Sequence, residues 1–324
     1  VKVSRKKLST SKSVFFESIG VIVKENDREA IQALKRILST LEGFRKEYHF
    51  YIENKAARLA GLSKRSFVKP LSMDRLEKSV DLLIAIGGDG TILRSARHLL
   101  SGNSWQKSLI LGVNAGHLGF LTFLSKQEAE RSIQMLLQNP SQARIDRRSC
   151  LEVQVERGGR VIKTFHALNE AVVSKGSLSR IFELHVEIDG EFLSSYRADG
   201  LIVSTPTGST AYNLAAGGSI LEPAVAALQL TPICPQSLSN KPIVVADQHE
   251  ICLRLGQHSA DVFLTLDGQM GCKVGANHRL RIMKSVKSIG FVQTPDQNAG
   301  QYFHSLRQKL KWGLGSHLAF SRST

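Results

Sequence analysis

Leu82-Leu83-Ile84-Ala85-Ile86-Gly87-Gly88-Asp89-Gly90-Thr91 decides the fold. Its five leading apolar residues suit a strand buried on both faces and are too few for a helix. Three glycines and an aspartate end the run, and Ile92, Leu93, Ala96, Leu99 and Leu100 then recur along one side of a helix. Strand, glycine turn and helix start together present backbone N–H groups to a phosphate. Glycine clears side chains from the approach, and the helix N-terminus carries partial positive charge. Asp89 fits poorly in a loop that only holds anions, because a carboxylate repels phosphate. Its task is either to accept a proton, to bind a magnesium ion beside phosphates, or to cap the next helix.

Outward from this stretch, strands and helices alternate. Residues 19–23 read as a short buried strand, and Asn26 with Glu29 as a capping box. Ala30, Leu34, Ile37, Leu38 and Leu41 follow at helical spacing, ending near Gly43. Residues 48–52 suggest a second strand and 56–62 a short helix. Residues 109–113 form another buried strand, leading into Asn114-Ala115-Gly116-His117-Leu118-Gly119-Phe120. Ser125 with Glu128 caps a helix that stops at Asn139-Pro140. This alternation means an α/β domain, a Rossmann-like variant built on a parallel sheet with helices outside it. Ligands of such sheets bind beyond the carboxyl ends of the strands, where both glycine turns, 87–90 and 116–119, fall.

From about residue 146 the period changes to two. Leu151, Val153 and Val155 alternate with charged and polar residues, as do Phe182, Leu184, Val186 and Ile188. Gly158-Gly159 and Asp189-Gly190 are hairpin turns. Further strand-like runs occur at 200–204, 242–246, 250–255, 261–266 and 278–283. They indicate an all-β, sandwich-like second domain. Residues 212–230 are Ala-rich and read as a helix. Phe303, Leu306 and Leu310 mark a last amphipathic helix, expected to return to the first domain. The expected division is a disordered basic tail over 1–17, an α/β nucleotide-binding domain over 18–145, a β-sandwich over 146–290 and a tail helix within 291–324.

The chain's 43 basic and 28 acidic residues leave a net charge of +15, which points to anionic partners. Lys2, Arg5, Lys6, Lys7 and Lys12 lie in an acid-free N-terminal stretch that lacks an apolar run of signal-peptide length. No segment approaches the roughly 20 apolar residues of a membrane span. Cys150, Cys234, Cys252 and Cys272 are widely spaced, so neither zinc nor a disulfide framework is expected and a reducing cytoplasm fits.

The richest stretch is 199–212, where an apolar strand runs into Ser204-Thr205-Pro206-Thr207-Gly208-Ser209-Thr210-Ala211-Tyr212. Its hydroxyls can donate to a nucleotide without adding charge, and Pro and Gly fix the turn that aims them. A helix cap would use one or two of them. The hydrolase pattern G-x-S-x-G fails around Ser209, with Thr207 and Ala211 at the glycine positions. Asn169-Glu170 interrupts two apolar runs, as an edge position or as a group aimed into a site; an edge is the expectation. The P-loop is absent, and Leu93 stands where the Rossmann pattern needs its third glycine.

Gly87-Gly88-Asp89-Gly90-Thr91, Asn169-Glu170 and Thr205-Pro206-Thr207-Gly208-Ser209-Thr210-Ala211-Tyr212, in this order and spacing, resemble the NAD kinase family over roughly residues 18–313. Asn114 to Phe120, 231–246 and Leu266-Asp267-Gly268 support the likeness. The resemblance implies transfer of the γ-phosphoryl group of ATP, or of polyphosphate, to the 2′-hydroxyl of the adenosine ribose of NAD. Asp89 would be the general base. Gly87, Gly88, Gly90 and Thr91 would hold the triphosphate with Mg²⁺. Asn169 and Glu170 would bind the ribose and diphosphate, and Phe120, Ser204, Thr207, Thr210, Ala211 and Tyr212 would line the adenine pocket. Asp199, near Cys234, would take the nicotinamide amide, with Arg197 and Asp267 also against the dinucleotide. The likeness further implies a homodimer or homotetramer in which a neighbouring subunit closes the site, with neither nucleic acid nor membrane as partner. Gln236 stands where histidine is common, and Ala215 where serine is frequent. Two rivals remain: a lipid kinase of the diacylglycerol type, sharing the glycine loop, and a non-catalytic dinucleotide sensor.

Overall fold

The computed structural model describes residues 15–62, 66–102, 104–116, 119–122, 124–176, 181–257, 261–297 and 301–312. The basic tail, His117, Leu118 and the chain beyond Trp312 lie outside them, apart from residues 15–17.

The first half runs β1 (Ser18–Val23), α1 (Arg28–Glu42), β2 (His49–Glu53), α2 (Asn54–Ala60), β3 (Val68–Leu71), α3 (Met73–Ser79), β4 (Leu82–Gly87), α4 (Asp89–Ser101), β5 (Leu109–Asn114), β6 (Leu124–Ser125) and α5 (Ala129–Gln138). The parallel order is β3-β2-β1-β4-β5. Every residue of β1, β4 and β5 is buried, which explains their unbroken apolar sequence. Leu82, Ile84 and Ile86 face α1 and α5, whereas Leu83 and Ala85 face α3 and α4, so one strand feeds two cores. Each fully buried aliphatic side chain there contributes about 1.5–3 kcal/mol.

Two capping expectations need revision. Asp27, not Asn26, caps α1, accepting from the N–H groups of Glu29 and Ala30 at 3.1 Å each. Asn26 sits at φ 56°, a left-handed turn that a capping residue, which needs extended backbone, cannot adopt. Ser125 and Glu128 do form their reciprocal bonds, but in the turn ahead of α5, which starts at Ala129.

The second half contains β7 (Arg144–Arg157), β8 (Arg160–Ala167), β9 (Glu170–Lys175), β10 (Phe182–Ile188), β11 (Glu191–Ala198), β12 (Gly200–Ser204), α6 (Tyr212–Ala215), β13 (Ala227–Ile233), β14 (Ile243–Ala246), β15 (Ile251–Leu255), β16 (Val262–Leu266), β17 (Met270–Val274), β18 (His278–Gln293) and α7 (Gln301–Lys309). A six-stranded sheet, β14-β13-β12-β9-β16-β17, packs its inner face on a sheet that includes β11-β10-β15-β18 and the β7–β8 hairpin. Both expected two-residue turns form, with positive φ at Gly158 and Gly159 and at Asp189 and Gly190.

The parallel sheet does not stop at β5. Gly290 and Phe291 of β18 pair with Leu109 and Ile110 in parallel, while β18 pairs antiparallel with β7 on either side of a register shift between Lys284 and Ser288. The α/β domain therefore holds a mixed sheet, which passes without a break into the all-β domain. Residue 290 lies inside β18 rather than at its end.

The helix expected over 212–230 is corrected to α6 alone. Gly217 turns left-handed at φ 87°, and a Cβ on Gly218 would collide with the Asn213 amide. Beyond Pro223 the chain enters β13, where Leu228 and Leu230 face the core and Thr231 Oγ1 donates to Asn213 Oδ1 at 2.6 Å. Among the described residues no helix is long and apolar enough to cross a membrane.

Candidate active site

β1 and β4 sit at the point where the strand order reverses, and the chain beyond their carboxyl ends opens a crevice. A cavity of about 360 Å³ lies there, lined by Val23, Lys24, Glu25, Gly88, Gly90, Thr91 and Arg94. Gly88 and Gly90 have no atom within 4 Å of where a Cβ would stand, so backbone is open to a ligand. Gly87 does not line it; its carbonyl accepts from Ala115 N–H at 3.2 Å and ties the two glycine turns together.

Asp89 opens α4 but does not cap it, since Gly88 is the N-cap and no side chain bonds the first turn. Its carboxylate reaches instead to the loop after β5. Oδ2 accepts from Phe120 N–H at 2.9 Å and Oδ1 from Leu121 N–H at 3.0 Å. That approach needs Gly119, where any Cβ would overlap Asp89 Oδ1. Each oxygen keeps a lone pair for a ligand.

On the other side of Asp89 lies a second cavity, of about 230 Å³, lined by Asp89, Leu93, Phe120, Leu121, Asn169, Glu170, Thr207, Thr210, Ala211, Asp267, Gly268 and Lys309. Asn169 and Glu170 are not at an edge: β9 is flanked by β12 and β16. Asn169 Oδ1 and Glu170 Oε2 are buried with no hydrogen-bond partner. Such orphaned groups are rare in folded proteins and mark places where a ligand supplies the missing partner. Burial, reinforced by the Asp267 charge, pushes the Glu170 carboxyl up to about 8, so it is protonated at neutral pH.

Asp267 holds this segment in place. Its Oδ1 accepts from the N–H groups of Asn169 at 2.7 Å and Glu170 at 3.1 Å, and Oδ2 from that of Leu168 at 2.9 Å. Burial still raises its carboxyl above the ordinary value.

Most hydroxyls of the 204–212 turn do not face the cavity. Ser204 Oγ donates to Thr205 O, Thr205 Oγ1 to Leu168 O at 2.6 Å, and Ser209 Oγ to Pro206 O at 2.6 Å. Ser204 and Ser209 brace the turn itself, and Thr205 ties it to the segment leading into β9, which approaches so closely that a Cβ on Gly208 would overlap Asn169. Thr207, Thr210 and Ala211 are left to line the cavity. Ser204 is buried beneath the turn and Tyr212 is exposed, so neither lines the cavity within one chain.

Arg197, Asp199 and Cys234 gather at the opposite end of β12. Asp199 N–H donates to Ile233 O and its carboxylate pairs with Lys175 at 2.9 Å, while Gln236 N–H donates to Arg197 O. A five-residue strand, roughly 17 Å long, separates them from the hydroxyl turn.

A family model described as the ATP-NAD kinase N-terminal domain matches residues 19–140, and one described as the ATP-NAD kinase C-terminal domain matches residues 168–294. The chain belongs to the ATP-NAD kinase family. An NAD kinase of Geotalea daltonii is 42% identical over 240 residues, 74% of this chain and 81% of that protein. One from Syntrophotalea carbinolica is 36% identical over 295 residues, 91% of this chain and 98% of its own. Among solved structures, yeast NADH kinase complexed with NADH superposes with a TM-score of 0.81 at 27% identity, covering 95% of this chain and 90% of that one. An Archaeoglobus fulgidus NAD kinase in complex with ATP shares the fold, with a TM-score of 0.66 at 24% identity over 90% of this chain and 98% of that one. The lipid-kinase and sensor readings find no support in these relatives.

Two groups of the kinase escaped the reading of its sequence. Lys309, on α7, places its amine 3.6 Å from Asp89 Oδ2 and 4.3 Å above the Phe120 ring. It is the one cation among the described residues lining the 230 Å³ cavity, which it shares with the carboxyl groups of Asp89, Glu170 and Asp267. Helix α7 docks by burying Leu306 and by a Tyr302 Oη bond to Leu221 O, so it bridges both domains rather than resting on the first alone. Arg148, nearly fully buried, pairs with Asp146 and braces Thr207 from behind at 3.4 Å. A lysine in a terminal helix carries no motif, and only its charge opposite acids distinguishes it.

Proposed function

We propose that the enzyme transfers the γ-phosphoryl group of ATP to the 2′-hydroxyl of the adenosine ribose of NAD, giving NADP and ADP. The observation that carries this reading is Asp89, held by two backbone N–H groups between a glycine-lined crevice and a cavity with two unpartnered polar groups. Asp89 takes the proton as the 2′-oxygen attacks the γ-phosphorus. The triphosphate lies along Gly88, Gly90 and Thr91, and the magnesium ion it would carry would supply charge neutralisation of the phosphates there. Asn169 Oδ1 accepts from a ribose hydroxyl. Glu170, protonated, donates a hydrogen bond without repelling the diphosphate. Phe120, Thr207, Thr210 and Ala211 enclose the adenine, and Lys309 offsets phosphate charge.

Arg197, Asp199 and Cys234 would serve the nicotinamide end from a neighbouring copy in a homodimer or homotetramer, consistent with their distance from the cavity and the exposure of Arg197 and Cys234, while Tyr212, exposed next to Ala211, would contact the dinucleotide at the adenine end. The division at 18–145, 146–290 and 291–324 is kept as the working one, with β18 shared between the first two. Four free cysteines suit a reducing cytoplasm.

The test is NADP formation from NAD and Mg-ATP, with polyphosphate as donor in parallel. Asp89→Asn should lower kcat by about 10²–10⁴-fold while calorimetry still detects NAD binding. Normal turnover in that variant refutes the assignment of the base.

A further inference from the structure

Helices α3 and α4 pack side by side on one face of the parallel sheet, burying Leu76 against the apolar side of α4. At their exposed seam three side chains converge. Asp74 and Glu77, three residues apart on α3, face His98 on α4, and one ligand atom from each lies within 4.8 Å of the others. His98 Nδ1 is 3.6 Å from Glu77 Oε2 and 3.8 Å from Asp74 Oδ1. These separations exceed a hydrogen bond, for which about 2.7–3.2 Å is needed. The His98–Glu77 separation matches instead the edge of a metal tetrahedron, in which ligand bonds of about 2.0–2.2 Å set neighbouring donors roughly 3.3–3.6 Å apart, and the His98–Asp74 separation is slightly longer.

The second observation is Glu77 itself. It is only 5% exposed, and Oε2, the atom turned toward the imidazole, has no hydrogen-bond partner. A carboxylate oxygen withdrawn from water and left unbonded is costly unless a cation or a donor meets it. His98 lies nine residues beyond Asp89 along α4, about 13 Å by helical rise, so the cluster is separate from the phosphate crevice.

We propose that Asp74, Glu77 and His98 form a binding site for a divalent transition-metal ion, zinc by preference, that clasps α3 to α4. One imidazole and two carboxylates suit zinc, cobalt or manganese, with water completing the shell. Magnesium, which demands oxygen donors in a strict octahedron, has little use for the imidazole. The ion would stiffen the helix that begins at Asp89.

The full-length protein, stripped with a chelator, is titrated with zinc chloride and separately with magnesium chloride by calorimetry, with thermal melts alongside. One equivalent of zinc should bind, and Tm should rise by roughly 5 °C when free zinc exceeds Kd about 100-fold. Millimolar magnesium should do neither. Cobalt substitution should give a ligand-field band that disappears in His98→Ala. Asp74→Asn, at an exposed position where folding is not at risk, should weaken zinc affinity by about 10–100-fold, the range already seen for lesser, outer-shell losses. If Asp74→Asn and His98→Ala bind zinc as tightly as the parent, or if the parent binds none, the cluster is an ion pair only and the proposal falls.

Discussion

Glu170 carries the clearest pH signature of any single residue in the site. Its carboxyl is raised from 4.5 to about 8 by burial and by Asp267. Between those values the folded protein holds a proton that the unfolded chain has released. The stability this gives is complete below the unfolded value and is lost as pH rises through about 8. Thermal melts across about pH 6–9 should therefore show Glu170→Gln gaining on the parent as pH rises, by several degrees at the alkaline end. A constant difference would mean that Glu170 does not titrate there. Lys309 lends itself to a kinetic test. A charge-assisted contact is worth about 1.5–3 kcal/mol, so Lys309→Ala should raise the KM for NAD or ATP roughly 10–100-fold, with partial rescue by Lys309→Arg. An unchanged KM with a higher kcat would instead make Lys309 a plug over Asp89.

Among the elements, the 204–212 turn shows how a hydroxyl-rich sequence divides its labour. Composition signals nucleotide contact for most of them, yet Ser204, Thr205 and Ser209 satisfy backbone carbonyls and only Thr207 and Thr210 reach the cavity. Local sequence does not reveal which way a hydroxyl points, because that depends on β9 lying against the turn. The same packing makes Gly208 sensitive. A methyl group there overlaps the Asn169 backbone, so Gly208→Ala should destabilise by about 1–3 kcal/mol and raise the KM for NAD by displacing Asn169. Calorimetric melts with steady-state kinetics check both, and a parent-like Tm would show that the turn can yield. The helix misread over 212–230 has a related cause: alanine favours helices, but strand pairing of β13 with β12 and β14 overrides that weak preference.

At the scale of the whole molecule, one mixed sheet runs from β3 through β18 into the second domain, and α7 spans the junction to deliver Lys309. The proposed assembly, in which a neighbouring copy supplies the groups at the far end of β12, predicts complementation between copies. Asp89→Asn and Asp199→Ala, each impaired alone, should regain activity on subunit exchange, with roughly a quarter of sites intact in random dimers. Mixtures no better than the sum of their parts would place Asp199 outside catalysis. The amino-acid sequence alone determined the alternation of strands and helices, the change of period near residue 146, the glycine loop with its aspartate and the family likeness. These rest on spacing between near neighbours, and burial of one face or two writes that spacing directly into the chain. Tertiary structure alone decided that Asp267 holds the backbone of 168–170 from nearly a hundred residues away, that β9 is central, and that a lysine of the last helix meets Asp89. Such contacts arise where separate elements pack together, and nothing in the local period of either partner records them.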